Sequence, residues 1–196
     1  DAGLRLDHHS VIGTELVPQG GLSFHLTPTA DLKALVSKGF RNPIIREMYM
    51  FPPATTDLKP ERMMNYELSF TQRINGRGHF GANLFYIKGD NLISTTRIDG
   101  KPRNVNTGDF ENWGLELTGD CRIDRHWSLN GNYSFRHMNA PIEGAPEGKL
   151  YIGANYHQGK WTVAAGLQNI SGLYITTGAD EEKENYTLLN ATVSYQ

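Results

Sequence analysis

Cysteine and long hydrophobic runs are both scarce in this sequence, and each shortage excludes a class of protein. The single cysteine, Cys121, cannot form an internal disulfide or a cysteine-based zinc site. The longest apolar runs are four residues, at 48–51 and 84–87, whereas a membrane-spanning helix needs about 18. A helical membrane protein is therefore excluded. A membrane β-barrel is not, because alternating strands give a low mean hydropathy such as the -0.48 found here.

The sequence also lacks an excess of charge of either sign. It has 19 Lys and Arg residues against 21 Asp and Glu residues, so the formal net charge is -2 over 196 residues. Because the two signs are interspersed and neither end carries a charged tail, we expect no nucleic-acid partner. A chain of this length fits one domain. Its 21 glycines, with recurring Asn, Thr and Tyr, are typical of strands and turns rather than of helices.

Alternation of apolar and polar residues with a period of two predicts an all-β fold of about ten antiparallel up-and-down strands. The clearest strand is 127–135, where apolar or small residues alternate with Ser and Asn. Residues 32–39 fit a strand and a helical stripe equally well. The other strands are predicted at 4–9, 16–26, 61–73, 79–86, 115–123, 150–157, 161–168 and 185–195. Ten such strands are part of a transmembrane β-barrel, or form a small version of one, if the short connections lie at one end of the strands and the long connections at the other.

The connections between these strands alternate in length. Consecutive turns of an up-and-down barrel lie at opposite ends, so the alternation predicts all tight turns at one rim and all long loops at the other. This asymmetry is typical of outer-membrane barrels, although a soluble sandwich stays an alternative. Trp127 and Trp161 each follow a tight turn, where an interfacial aromatic girdle lies. Tight turns are predicted near 27–30, 74–78, 124–125 and 158–159, and longer connections near 9–15, 40–60, 89–108, 138–147 and 170–184.

The long connection 40–60 contains a short predicted helix, within 42–50. Asn42 has a side chain suited to cap the helix, and Pro43 suits the first helical turn. We therefore expect one or two helical turns inside an otherwise irregular loop.

Catalytic and cofactor signatures are not found. The segment from Gly76 to Gly81 has the spacing of a dinucleotide-binding loop, but an alternating strand follows it where that loop requires a helix. Glu116 and Asp120 are four residues apart on a strand, a separation of ~13 Å that is too large for a glycosidase pair. The histidines are scattered along the chain. We expect no catalytic residue, no cofactor and no metal site.

Several short motifs follow one another in an order known from one family of membrane proteins. These motifs are Gly39-Phe40-Arg41-Asn42-Pro43, Asp57-Leu58-Lys59-Pro60-Glu61, Asn65-Tyr66-Glu67, Leu84-Phe85-Tyr86-Ile87, Asn106-Thr107-Gly108, Gly114-Leu115-Glu116 and Gly166-Leu167-Gln168-Asn169-Ile170. In this order the sequence resembles the C-terminal half of TonB-dependent outer-membrane receptors. The resemblance implies a piece of a barrel of about 22 strands. Such barrels import scarce nutrients, usually ferric siderophores, haem, cobalamin or glycans, with energy transmitted by TonB.

The resemblance also implies a domain organisation and a location. Residues 1–196 are expected to form a single C-terminal barrel segment in the bacterial outer membrane, without the family's N-terminal plug domain. The implied role is transport and not catalysis. The implied partners are outer-membrane lipid, a ferric siderophore or similar chelate and, through the missing N-terminal part, TonB. Two alternatives stay open: a soluble all-β carbohydrate-binding module, and a small outer-membrane hydrolase in which Asp7 and His8 are the nearest candidate pair.

The candidate ligand-binding residues lie in two of the long connections. If the rims are assigned correctly, 40–60 and 89–108 face the cell exterior, and cationic and aromatic side chains there suit an anionic, partly aromatic chelate. Arg41 is expected to brace the strand end and to matter less than the arginines of 89–108. The candidates are Arg97, Arg103, Arg46 and Tyr49.

Overall fold

The computed structural model describes residues 1–52 and 54–196, and strands make up most of the described chain. The bounds are β1 (Ala2–His9), β2 (Gly13–Thr27), β3 (Ala30–Arg41), α1 (Ile45–Tyr49), β4 (Glu61–Ile74), β5 (Gly78–Asp90), β6 (Ile93–Ile98), β7 (Lys101–Asn106), β8 (Phe110–Arg122), β9 (Trp127–Met138), β10 (Pro146–Gln158), β11 (Trp161–Thr176) and β12 (Glu182–Tyr195). A 3₁₀ turn, Gly178–Asp180, precedes β12. Among the described residues, no helix combines the length and the apolar character needed to cross a membrane.

Ten of the strands form one antiparallel sheet in the order β1-β2-β3-β4-β5-β8-β9-β10-β11-β12. Strands of this sheet pair with their neighbours in the chain except that β5 pairs with β8, because the hairpin β6–β7, which lies between them in sequence, forms a separate two-stranded sheet. The prediction of about ten antiparallel strands is confirmed. Residues 32–39, which fitted a strand and a helix equally well, lie in β3.

The strand registers sort apolar and polar side chains onto opposite faces of the sheet. Ile152 of β10 stands opposite Leu167 of β11, and Leu167 stands opposite Leu189 of β12. On the other face, Asn155 stands opposite Ser128 and Gly153 opposite Asn130. Because side chains alternate along each strand, one face is a continuous apolar surface. That surface is open, since Leu189 is 77% exposed.

The contacts divide the chain into two compact units. The loop-rich unit comprises Asp1–Leu22, Leu35–Tyr66 and Tyr86–Asn112, and the strand-rich unit comprises Ser23–Ala34, Glu67–Phe85 and Trp113–Gln196. Met48 and Leu58 are buried in the first, and Ala30, Met138, Ile170 and Tyr174 are buried in the second. Both units therefore have small cores, and most large apolar side chains stay outside them.

The connections follow the predicted lengths with three corrections. The connection predicted near 170–184 has only residues 177–181, because β11 and β12 extend into it. The tight turns are as predicted, but the link between β1 and β2, predicted to be among the longer ones, has only residues 10–12. The connection 89–108, predicted as a loop, contains the hairpin β6–β7. Its turn residues Asp99 and Gly100 have φ of 51° and 75°, the left-handed conformation of a two-residue hairpin turn.

The predicted helix in 42–50 is present but shorter, and its predicted cap is wrong. Helix α1 spans Ile45–Tyr49, and the residue that precedes its first turn is Ile44. The carboxylate of Glu47 accepts the backbone N–H of Ile44 at 2.9 Å. This contact satisfies the backbone N–H at the start of the helix, as the second half of a capping box does. Asn42 lies two residues before Ile44, which is too early to cap the helix.

Candidate ligand-binding site

The four predicted ligand-binding residues all lie in the loop-rich unit. Arg46 and Tyr49 are on α1, Arg97 is on β6 and Arg103 is on β7. Arg46, Tyr49 and Arg97 are exposed, whereas Arg103 is half-buried. The Nε of Arg46 donates to the thioether sulfur of Met50 at 3.2 Å, which leaves most of its guanidinium available.

The register of the β6–β7 hairpin separates the two arginines that were predicted to matter most. Arg97 stands opposite Pro102, and Thr96 stands opposite Arg103. Residues that face each other share a side of the ribbon, and neighbours along a strand do not. Arg97 and Arg103 therefore point to opposite sides of the hairpin and do not converge on one point.

Two asparagines join the hairpin to the connection 40–60. The Nδ2 of Asn104 donates to the carbonyl oxygen of Glu47 at 2.7 Å, and Asn104 is only 6% exposed. The Oδ1 of Asn106 accepts the backbone N–H of Lys59 at 2.9 Å, and its Nδ2 donates to the Lys59 carbonyl at 3.0 Å. Asn104 is buried and Asn106 half-buried, and amides whose partners are satisfied in this way fix local geometry. The two long connections are thus one structure, which we call the loop module.

Arg41 lies at the base of the loop module and bonds two carboxylates at once. Its Nε and Nη2 donate to Glu61 at 2.6 and 2.8 Å, and its Nη1 donates to both oxygens of Glu47 at 2.9 and 3.0 Å. Glu61 also accepts the backbone N–H of Ile93, the first residue of β6, at 2.8 Å. Paired, partly buried charges of this geometry are strong contacts.

These contacts shift the protonation equilibria of the Arg41 cluster. Hydrogen bonds from Arg41 hold the pKa of Glu61 below its ordinary value of 4.5, with a smaller contribution from the Ile93 N–H. The same carboxylates, Glu61 first and Glu47 second, hold the pKa of Arg41 above its usual range. Arg41 and Glu61 are therefore both ionised at neutral pH. Sequence reasoning missed the Arg41 cluster because Glu61 lies 20 residues from Arg41 in the chain.

A second ion cluster joins β2, β3 and β4. Glu15 is 6% exposed and accepts hydrogen bonds from Lys38 Nζ at 2.9 Å and Arg62 Nε at 2.8 Å. A buried carboxylate with two cationic partners specifies where the three strands meet. The net stabilisation from such a cluster is small, because the three charged groups lose hydration. No sequence signal linked these three residues.

The candidate hydrolytic pair is not assembled. Asp7 forms an ion pair with Arg5 at 2.6 Å, and His8 Nδ1 lies 2.9 Å from the hydroxyl of Thr14. As neighbours on β1, Asp7 and His8 point to opposite faces. Within the described residues, no group of three or more His, Cys, Asp or Glu side chains is arranged to hold a metal ion.

A wide cavity lies in the strand-rich unit and holds none of the four predicted residues. Its volume is about 710 Å³, and its basic lining includes Arg73, Arg77 and Arg122. The imidazole of His79, also in the lining, contacts the carboxylate of Asp120. The cavity lies beside the tight turn between β4 and β5 and is wide open to solvent.

Comparison with known proteins relates this sheet to outer-membrane receptors. The family described as TonB dependent receptor-like, beta-barrel matches residues 1–196. The vitamin B12 transporter BtuB of Photobacterium profundum is 24% identical over 213 residues, which cover 100% of this chain and 34% of that transporter. The iron-regulated outer membrane virulence protein of Vibrio cholerae is 33% identical over 135 residues, which cover 62% of this chain and 20% of that protein.

Solved structures of such receptors share the fold. A mutant of the ferric enterobactin receptor PfeA of Pseudomonas aeruginosa, in complex with enterobactin, superposes with a TM-score of 0.82 at 17% identity, covering 100% of this chain and 35% of that chain. The copper transporter OprC superposes with a TM-score of 0.73 at 13% identity, covering 93% of this chain and 32% of that chain. The chain thus spans about a third of the length of BtuB and of these receptors.

Proposed function

Because the chain belongs over its whole length to the TonB-dependent receptor β-barrel family, we propose that residues 1–196 are the C-terminal barrel segment of a receptor that imports an anionic metal chelate. The protein is a bacterial outer-membrane protein. The observation that carries the proposal is the ten-stranded sheet with neighbouring strands paired in chain order, together with a family match over every residue. In this proposal the plug domain and the segment that contacts TonB belong to the rest of the receptor.

Outer-membrane lipid is the proposed partner of the apolar face. Leu22, Phe24 and Leu26 alternate along β2 and are 64%, 51% and 55% exposed. Soluble proteins rarely leave so large an apolar surface uncovered, and an acyl-chain environment covers it. A strand needs about 9–11 residues to cross the hydrocarbon core, and β4 has 14. In this proposal Glu61, the first residue of β4 and the one beside the loop module, lies outside the core.

The chemistry of the loop module favours an anionic ligand. Arg46 and Arg97 are exposed cations, and Tyr49 is an exposed aromatic side chain on the same helix as Arg46. Cations and aromatic faces bind an anionic, partly aromatic chelate through charge-assisted hydrogen bonds and cation–π contacts. Enterobactin is bound in the PfeA complex and vitamin B12 is carried by BtuB, so both are suitable probes. We propose a ferric siderophore or similar chelate as the substrate, and no catalytic step in this segment.

Uptake by the intact receptor tests this function. Cells lacking their own receptors, with and without TonB, would express the receptor and be given radiolabelled ferric enterobactin or vitamin B12. We expect saturable uptake of ferric enterobactin that requires TonB and that Arg97→Gln weakens at normal surface levels. Arg125→Gln, in a tight turn, is the matched control and should have no effect. Uptake that does not require TonB, or uptake of neither probe, would reject the proposal.

A further inference from the structure

The loop module is held at its base by one guanidinium whose three nitrogens all donate to carboxylates. Nε and Nη2 of Arg41 donate to the two oxygens of Glu61, and Nη1 lies within hydrogen-bond distance of both oxygens of Glu47, which share one N–H group. Because two carboxylates already neutralise its charge, this side chain is poorly suited to bind an anionic ligand directly. The role of Arg41 therefore depends on the elements that its two partners, Glu61 and Glu47, hold in place.

Each carboxylate bonded by Arg41 also fixes the start of a different element. Glu61 accepts the N–H of Ile93, where β6 begins, and Glu47 accepts the N–H of Ile44, where α1 begins. Arg41, at the end of β3, therefore links the start of the helix and the start of the hairpin through its two carboxylate partners. Asn104 joins the hairpin to α1 directly through a neutral hydrogen bond to the Glu47 carbonyl. Among the described contacts, Arg41 supplies the charged link, through Glu47 on α1 and through Glu61, which holds the start of β6.

We propose that Arg41 is a positioning residue for ligand capture: it sets the placement of α1 relative to the β6–β7 hairpin and thereby controls ligand affinity without touching the ligand. This inference rests on the proposed function, because α1 and the hairpin carry the candidate ligand-binding residues Arg46 and Arg97. A binding site shared by two elements loses affinity in proportion to the time that they spend out of register. If the module keeps its placement for about a tenth of the time without Arg41, the half-saturating ligand concentration rises roughly tenfold.

The placement is measurable without any ligand. In the intact receptor with Cys121→Ser, spin labels at Ile45→Cys on α1 and Lys101→Cys on β7 report the distance between helix and hairpin. Ile45 is 78% exposed and Lys101 is exposed, so both accept a label. We expect a narrow distance distribution that broadens with Arg41→Gln and stays narrow with the control Arg125→Gln.

Ligand uptake by the same receptors tests the consequence. With ferric enterobactin as the probe, Arg41→Gln should raise the half-saturating concentration while the maximal rate per surface receptor stays unchanged. Arg41→Lys keeps the charge but cannot bond two carboxylates in a fork, so it should recover little of the affinity. Full recovery by Arg41→Lys, an unbroadened distance distribution, or broadening with unchanged affinity would each overturn the inference. If the wild-type receptor does not bind the probe, the proposed function is rejected, and so is the control of affinity by Arg41. The distance measurement would then show only whether Arg41 sets the placement of α1 relative to the hairpin.

Discussion

Replacing Gly114 with alanine should destabilise the strand-rich unit because the structure leaves no room for a methyl group there. A Cβ built on Gly114 lies 2.5 Å from Cζ and 2.8 Å from Cε1 of Phe85, and closer still to the carbonyl oxygen of Phe135. The Phe85 ring can turn aside. The Phe135 carbonyl cannot, because it belongs to the backbone of the adjacent strand β9.

The size of the effect follows from which neighbour has to move. Overpacking of a filled site costs about 1–3 kcal/mol, and a fixed backbone oxygen puts Gly114→Ala near the upper end. Gly89→Ala meets only the ring of Phe110, which can rotate, so about 1 kcal/mol is expected. Gly119→Ala is the matched control on the same strand, since its nearest neighbour, a carbonyl oxygen at 3.5 Å, allows an ordinary contact. It should be neutral, or stabilising by about 0.5 kcal/mol.

Urea unfolding of the intact receptor in lipid vesicles, followed by tryptophan fluorescence, measures these differences. Gly114→Ala should lower the unfolding midpoint most, and adding Phe85→Leu should restore only part of the loss, because the Phe135 carbonyl stays in place. Equal unfolding midpoints for Gly114→Ala and Gly119→Ala would show that the Phe135 carbonyl does not obstruct a methyl group at position 114. So would complete restoration by Phe85→Leu, since the backbone contact would then cost nothing.

Three further outcomes are expected. Leu167→Arg, on the apolar face near mid-strand, should cost about 2–4 kcal/mol in vesicle unfolding, and Gln168→Arg on the polar face should cost little; equal costs would contradict the assigned faces. Arg41 lowers the pKa of Glu61 below 4.5, so the stabilisation from this carboxylate is complete above that pH and is lost as the pH falls through the lowered pKa. The urea midpoint should therefore fall less on acidification in Glu61→Gln than in wild type. Arg97→Ala should weaken growth on a chelated iron source at normal surface levels, and undiminished growth would remove Arg97 from the site.

The strands could be predicted from the sequence because their pattern is local. Each strand of the sheet alternates side chains between its two faces, and the alternation of apolar and polar residues along 127–135 or 150–157 shows this in the sequence itself. The segment 32–39 shows the limit of this reasoning. Its apolar spacing fits two periods, and pairing with β2 and β4, which local sequence does not encode, makes it a strand.

The candidate site was less predictable because its geometry depends on distant pairings. Asp99-Gly100 is a strong signal for a two-residue hairpin turn, and it would have revealed β6–β7 and the opposite orientations of Arg97 and Arg103. The Arg41 cluster has no such signal. Glu47 and Glu61 reach Arg41 only after a loop has folded back, so the contact depends on the whole connection.

Labelling of single cysteines on intact cells tests most directly the claim that the loop module faces outward and captures the chelate. In receptors carrying Cys121→Ser, a membrane-impermeant maleimide should modify Asp99→Cys on the β6–β7 turn, and should reach Arg125→Cys only after the outer membrane is permeabilised. Ferric enterobactin should slow the reaction at Asp99→Cys alone. Labelling of Arg125→Cys on intact cells, or a rate at Asp99→Cys that ferric enterobactin leaves unchanged, would contradict the account.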